Sequence, residues 1–344
     1  MGLGRSLRMS ACVGLVGVVV AATGCTSRSQ DSSGNDMVPR ARTYLSKALS
    51  IMEEHSLLRH QVDWADVRSK AFSQARGAQK PEDTYGAIGS ALHTLGDGHS
   101  TFWEPEQAKE NLGSSAVPLD GLQGRSLKNG LGYISLPGVQ GSQKTYEEYV
   151  GQGRDAVAKA DRTGACGWVV DLRSNTGGNM YPMLAVVGPI LGDGKVGMFV
   201  DADGKKSVWS IKHGAPYVDG KSAGWGASQP VARSTPPVAV LTGKRTASAG
   251  EAVVVAFRGR PEARFFGEPT YGVPTGNKAY RLSDGAMLIL TGVKDADRTG
   301  RTYDTAIPPD EEIVKDPRPV ARNRDEVLKA AQDWLLKQTA CPRT

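Results

Sequence analysis

Two stretches of this chain follow one pattern: a short apolar run, a turn of small residues, then a helix-forming segment. Trp168–Leu172 runs through Asp171-Leu172-Arg173-Ser174-Asn175-Thr176-Gly177-Gly178 into a helix over Pro182–Leu191. Val238–Leu241 runs through Thr246-Ala247-Ser248-Ala249-Gly250-Glu251 into a helix over Ala249–Phe257. A strand that is apolar on both faces has to be covered on both faces, which calls for a largely parallel sheet flanked by helices. The strand Leu131–Leu136 and the helix Thr145–Ala160 come first in the same order, and Arg264–Gly267 starts a third such unit. Lys278–Leu282 and Ala286–Val293 flank Asp284-Gly285, a hairpin signal. Asn323–Leu336 reads as a closing amphipathic helix. The fold class expected is α/β (α+β), a parallel-rich sheet core covered by helices.

Ahead of the core, residues 38–95 read as a small helical bundle. Tyr44, Leu45, Ala48, Leu49 and Met52 share a helical face, Asp63 can cap a second helix, and Pro81 opens a third. Residues 195–230 interrupt the alternation and read as a small inserted β flap. Met198–Val200 and Ser207–Ile211 flank the turn Asp201-Ala202-Asp203-Gly204 there. Two readings stay open for its Trp209, Tyr217 and Trp225: they face a ligand, or they pack on the core. These signals divide the chain into 1–24, 25–37, 38–112, 113–322 (with the insert at about 195–230) and 323–344.

The N-terminus reads as an export signal, with Arg5 and Arg8 before an apolar run over 11–23 too short for a comfortable membrane span. Ala22-Thr23-Gly24-Cys25 resembles a bacterial lipobox, with Ala22 where Leu is commoner. The resemblance implies that residues 1–24 are a lipoprotein signal peptide and that the Cys25 thiol takes lipid. It also implies a chain anchored on the outer face of the bacterial cytoplasmic membrane. The polar segment from Cys25 to residue 37 then serves as a flexible tether. Cys12 leaves with the signal, and Cys166 and Cys341 remain in an oxidising compartment, where they pair or stay apart. The net charge of +6 comes without a basic run or aromatic-interleaved patch, which argues against a nucleic-acid partner. No Cys-x-x-Cys or His-Glu-x-x-His spacing suggests a metal site, and no cofactor is expected.

Ser248 is the candidate for chemistry. At a helix start it sees the positive end of the dipole, and the N–H of Ala249 would face an oxyanion formed on attack. The alternative is equally concrete: Ser248-x-x-Glu251 is a capping box. Gly177-Gly178 either completes an oxyanion hole or is an ordinary strand-to-helix turn, with Arg173 and Asn175 stabilising it. Of the five histidines, His99 lies in a glycine-flanked turn that can present a side chain.

LGDGHSTF, DLRSNTGG and TASAGE, in this order, resemble the C-terminal-processing (tail-specific) serine peptidase family, as do Gly267–Gly272 and Ile307-Pro308-Pro309-Asp310. The resemblance implies a ClpP/crotonase-like peptidase core, Ser248 as nucleophile, and an oxyanion hole from Ala249 with Gly177 or Gly178. Two features depart from the usual pattern. Gly272-Val273-Pro274 stands where those members carry Gly-Lys-Gly, so the lysine base is missing. Only 31 residues separate His99 from Leu131, too few for a PDZ domain. Both departures resemble the PDZ-less, membrane-anchored branch that includes nisin-resistance proteins, which cleave a lantibiotic near its C-terminal end. That likeness implies His99 as base, Asn179 and Met180 in peptide recognition, and Thr275 and Asn277 on a groove strand. Asp304 is the orienting carboxylate expected from it, with Asp97 and Glu251 as alternatives. Lys278 is a further candidate base, and Lys244 reads as a solvated turn residue. The implied activity is a serine endopeptidase acting on peptides. The rival is a non-catalytic binder, since this fold is reused in the retinoid-binding proteins of the eye.

Overall fold

The computed structural model describes residues 36–113, 119, 121–314 and 325–341. The signal segment, Cys25 and the tether up to residue 35 lie outside the described residues, as do residues 323 and 324 of the closing helix. The chain runs α1 (Pro39–His55), α2 (Trp64–Gln74), α3 (Tyr85–Leu95), β1 (Thr101–Trp103), α4 (Pro105–Gly113), β2 (Gln123–Leu127), β3 (Leu131–Ser135) and α5 (Gln143–Ala160). It continues through β4 (Gly167–Asp171), α6 (Met180–Leu191), β5 (Gly194–Asp201), β6 (Lys206–Lys212), β7 (Ala215–Val218), β8 (Lys221–Ser222) and β9 (Val238–Thr242). The last elements are α7 (Ala249–Phe257), β10 (Ala263–Gly267), β11 (Thr275–Arg281), β12 (Met287–Asp297), β13 (Glu311–Glu312) and α8 (Glu326–Leu335).

One sheet has the order β13-β10-β9-β4-β3-β2 and is parallel except where β2 meets β3. Its central strands are covered on both faces, as their composition requires. Trp168 and Val170 of β4, with Leu172 just after it, pack with α6 and α7, while Val169 packs with Leu335 and Ala331 of α8. The second sheet is antiparallel, with β1-β12-β5-β6-β7-β8 in order and β11 also on β12.

The structure changes two expectations. The insert at 195–230 is not free-standing: β5 pairs with β12, so insert and hairpin form one layer. Its Trp209 is fully buried and meets the Phe199 ring edge-on, which resolves that aromatic in favour of the core. Arg264–Gly267 does form a parallel strand, β10, but no helix follows it. Pro269 and Pro274 interrupt the next segment, and the chain passes straight to β11.

The helices α1–α3 close over the hairpin. Leu45, Leu49 and Met52 of α1 share a core with Ile88 of α3 and with Leu282, Leu288 and Leu290. Tyr44 and Tyr85 each donate a hydroxyl to one oxygen of Asp284 in the hairpin turn, at 2.9 and 2.6 Å. Beyond the C-terminus of α1, Asp203 at the β5–β6 turn accepts from Arg59 Nη2 at 2.5 Å and lies 2.8 Å from His60 Nε2. The bundle is therefore tied both to the hairpin turn and to the β5–β6 turn.

Cys166 and Cys341 form a disulfide across a sequence separation of 175 residues. It holds the tail after α8 next to the start of β4. A cross-link over so long a loop removes much conformational freedom from the unfolded chain, by about 2–4 kcal/mol. Cys341→Ser is expected to lower unfolding stability by that amount, read as a lower urea midpoint with an unchanged ultraviolet circular dichroism spectrum. An unchanged midpoint would count against a stabilising role.

Candidate active site

The turns after β4 and β9 are neighbours because their strands are neighbours, and hydrogen bonds lock them together. Thr246 donates its hydroxyl to the Leu172 carbonyl at 2.8 Å, and Ala247 N–H donates to the Asn175 carbonyl at 2.9 Å. Asn175 is fully buried; its amide donates to the Leu136 carbonyl and its Oδ1 accepts from Gly177 N–H, both at 3.0 Å.

Ser248 is the N-cap of α7 and has φ +51° and ψ −117°. A non-glycine residue there is strained by about 1–3 kcal/mol, so the surrounding bonds must hold it. Glu251 supplies them. It is fully buried, and Oε2 accepts from the N–H groups of Ser248 at 2.8 Å and Val273 at 2.9 Å. Oε1 accepts from Gly272 N–H at 2.9 Å and from the Thr270 hydroxyl at 2.6 Å. Burial raises the Glu251 pKa, against the lowering effect of these four bonds. The Glu251 half of the capping box is thus present, and the same carboxylate braces the Gly272-Val273 turn.

Gly177 sits flush against this serine: a Cβ on it would lie 3.0 Å from Ser248 Cβ, and its φ is +102°. Its N–H is occupied by Asn175, which removes it from the expected oxyanion pair. Gly178, at φ +112°, has an N–H with no partner among the described residues, and so has Ala249 N–H at the start of α7.

His99 follows the α3 cap Gly96, between Gly98 at φ +64° and β1. Asp97 Oδ1 accepts from the N–H groups of His99 at 2.9 Å and Ser100 at 2.6 Å, and its Oδ2 accepts from the Ser100 hydroxyl at 2.6 Å. Asp97 therefore shapes the loop and does not bond to the ring. His99 Nδ1 lies 2.7 Å from Thr275 Oγ1. Burial lowers the His99 pKa from its ordinary 6.5, with Asp97 opposing.

A cleft of about 930 Å³ runs between the two sheets' edges and the bundle. Ser248, Ala249, His99, Gly178, Asn179, Met180, Thr275 and Asn277 all line it, and so does Arg59. No hydrogen bond joins Ser248 and His99. Asn179 caps α6 through Oδ1, which accepts from Tyr181 N–H at 3.0 Å. Asn277 donates to the His99 carbonyl at 3.2 Å and accepts from the Thr291 hydroxyl at 2.9 Å. Thr275 and Asn277 thus have their polar groups engaged with the histidine loop and β12, not only with the groove.

Asp304 is corrected. Its side chain is 64% exposed, pairs with Lys294 at 3.3 Å, and lies outside the cleft, so it does not orient His99. The group at Nδ1 is a hydroxyl. Lys278 lines the cleft with its Nζ 5.2 Å from the centre of the Tyr280 ring. Lys244 is exposed and pairs with Glu268 at 3.2 Å. Sequence reasoning missed the contribution of the bundle to the cleft, and it missed Asp295, which also lines the cleft. Asp295 lies in the mixed Lys294-Asp295-Ala296-Asp297 end of β12, and nothing in that pattern sets it apart. Among the described residues no cluster of three metal-ligating side chains occurs, and no helix is long and apolar enough to cross a membrane.

Comparison with known proteins points the same way. The family model of Peptidase family S41 matches residues 130–313. The nisin-resistance protein of Lactococcus lactis subsp. lactis is 26% identical over 267 residues, 77% of this chain and 80% of that one. The chloroplastic carboxyl-terminal-processing peptidase 2 of Arabidopsis thaliana is 30% identical over 162 residues, 45% of this chain and 28% of that one. A lipoprotein from Streptococcus agalactiae has a solved structure that superposes with a TM-score of 0.70 at 24% identity, over 87% of this chain and 97% of that one.

Proposed function

We propose a function for a chain that belongs to Peptidase family S41: it is a serine endopeptidase that cuts peptides near their C-terminal end. The observation that carries this reading is that Ser248, on its strained turn, and His99 line one cleft together with two unpartnered N–H groups. His99 keeps a proton on Nδ1, donated to Thr275 Oγ1, which leaves Nε2 to take the Ser248 proton. Ser248 Oγ attacks the scissile carbonyl, and the N–H groups of Ala249 and Gly178 hold the oxyanion. The imidazolium then protonates the leaving amine, and water, deprotonated by the same ring, releases the acyl group. Thr275 here replaces the carboxylate of a Ser-His-Asp triad, so it orients the ring without adding charge.

The likeness to the nisin-resistance protein supports a narrower substrate class, lantibiotic-like peptides. The Ala22–Cys25 sequence supports anchoring by lipid on the outer face of the cytoplasmic membrane. Peptide binding without cleavage is the second reading, and the missing hydrogen bond between Ser248 and His99 favours it. Catalytic hydrogen bonds commonly tighten only when substrate binds, which favours the first.

The test is to incubate the domain lacking residues 1–25 with a mixed peptide library that includes lanthionine-bridged members, and to read products by mass spectrometry. Cuts that vanish in Ser248→Ala are expected. Retention of peptides by both proteins without any cut would establish the binder instead. The pH profile gives a second check. The neutral ring is the base, and its pKa is lowered, so kcat/KM should hold at neutral pH and fall only below 6.5. A limb with its midpoint above that value would rule His99 out as the base.

A further inference from the structure

We propose that Asp295 is the floor of a specificity pocket that takes a cationic side chain, lysine or arginine, from the peptide residue bound beside Ser248. The inference rests on the cleft being a peptide site, as argued above. Its starting point is an imbalance in the buried acids. Asp171 is held by Arg173 and Tyr133, Glu251 by four donors, and Asp297 by Thr299, Tyr303 and backbone N–H groups. Asp295 is just as buried, and neither of its carboxyl oxygens has a partner. A folded chain rarely leaves a carboxyl in that condition, because burial without a hydrogen bond or counter-charge is costly. Burial, with the negative charge of Glu251 nearby, pushes its pKa well above the carboxylate range. Asp295 is thus a buried acid with neither oxygen partnered, beside the helix that Ser248 caps.

The surroundings say what that partner is. Asp295 lines the cleft with Ala249, Ala252, Phe199 and Val293. Ala249 and Ala252 lie on the first turn of the helix that Ser248 caps, so this wall is within about one helical turn, 5.4 Å, of the nucleophile. Small residues on the helix side leave room, and Phe199 with Val293 offer apolar flanks suited to a methylene stem. Among the described residues the cations near it are engaged elsewhere: Lys294 pairs with Asp304, Arg59 with Asp203, and Lys278 stands over the Tyr280 ring. A lysine or arginine head that reaches the carboxyl would ionise it, and its proton would pass to solvent. The lining side chains have to part for this, which makes entry an induced fit.

Retention on immobilised Ser248→Ala protein tests the idea without turnover. Two peptide pools are compared, one containing lysine and one with norleucine in its place, which keeps the stem and removes the charge. The lysine pool is expected to bind about tenfold tighter or more. Asp295→Asn in the same background, and Asp295→Ser as a second variant, should each bring the ratio to near one. Equal binding of the pools, or a ratio that survives both substitutions, overturns the proposal. Labelling of wild-type Ser248 by a fluorophosphonate is run in parallel. Its failure would defeat the peptidase reading alone, since the pool ratio judges Asp295 separately.

Discussion

Ser248→Ala is expected to lower peptide cleavage by about 10,000-fold or more while the fold persists. Loss of a nucleophile removes the whole acyl-enzyme route, so the effect belongs in kcat and not in KM. Stability should barely move, because alanine meets the same strain as serine at φ +51° and the Glu251 bond goes to the backbone N–H. Ser248→Gly separates strain from chemistry. It should be just as inactive, yet more stable than Ser248→Ala by about 1 kcal/mol, since glycine tolerates that dihedral. Melting curves of the two variants measure the difference. Substantial residual cleavage in either variant would mean the nucleophile lies elsewhere, and loss of folded protein would favour serine as a structural cap.

Glu251→Ala is expected to cost about 3–5 kcal/mol, enough to approach global unfolding in a protein of ordinary stability. Four donors lose their acceptor at once: the N–H groups of Ser248, Gly272 and Val273 and the Thr270 hydroxyl. Each unsatisfied buried donor costs about 1–3 kcal/mol, reduced by whatever water enters the space left behind. Glu251→Gln is the informative companion. Each carboxylate oxygen accepts from two donors, whereas an amide offers one oxygen and turns an NH₂ toward the other pair. The glutamine variant should therefore lose about 2 kcal/mol instead of behaving as an isostere. Urea midpoints give both numbers, and a glutamine variant as stable as wild type would show that the carboxylate is not the keystone of this turn.

The parts of the site that local sequence encodes were readable. An apolar strand, a small-residue turn and a helix specify where a side chain stands relative to the sheet, so Ser248 at the head of α7 and Gly177-Gly178 before α6 could be read directly. The glycines around His99 likewise announced a turn. What depends on pairing between distant segments was not readable. Asp304 follows Thr275 by 29 residues in the chain, yet the register of β11 on β12 brings Thr275, not Asp304, to His99. The choice between Gly177 and Gly178 turned on the orientation of one amide, that of Asn175. Nor did the alternation of residues 195–230 reveal that β5 joins β12, since an antiparallel edge leaves the same pattern with any partner strand.

The bridge from Asp203 to Arg59 and His60 bears on which molecules can reach the cleft at all. It joins the flap turn to the helical bundle, and Arg59 and Asp201 border the same space. Together they border one side of the cleft. A side bridged in this way favours a thin, extended segment over a folded surface, and a frayed terminus is the thinnest form a polypeptide offers. Selection among polypeptides would then turn on whether one has a loose end, before any subsite inspects its residues. Intact folded proteins would be passed over by shape alone.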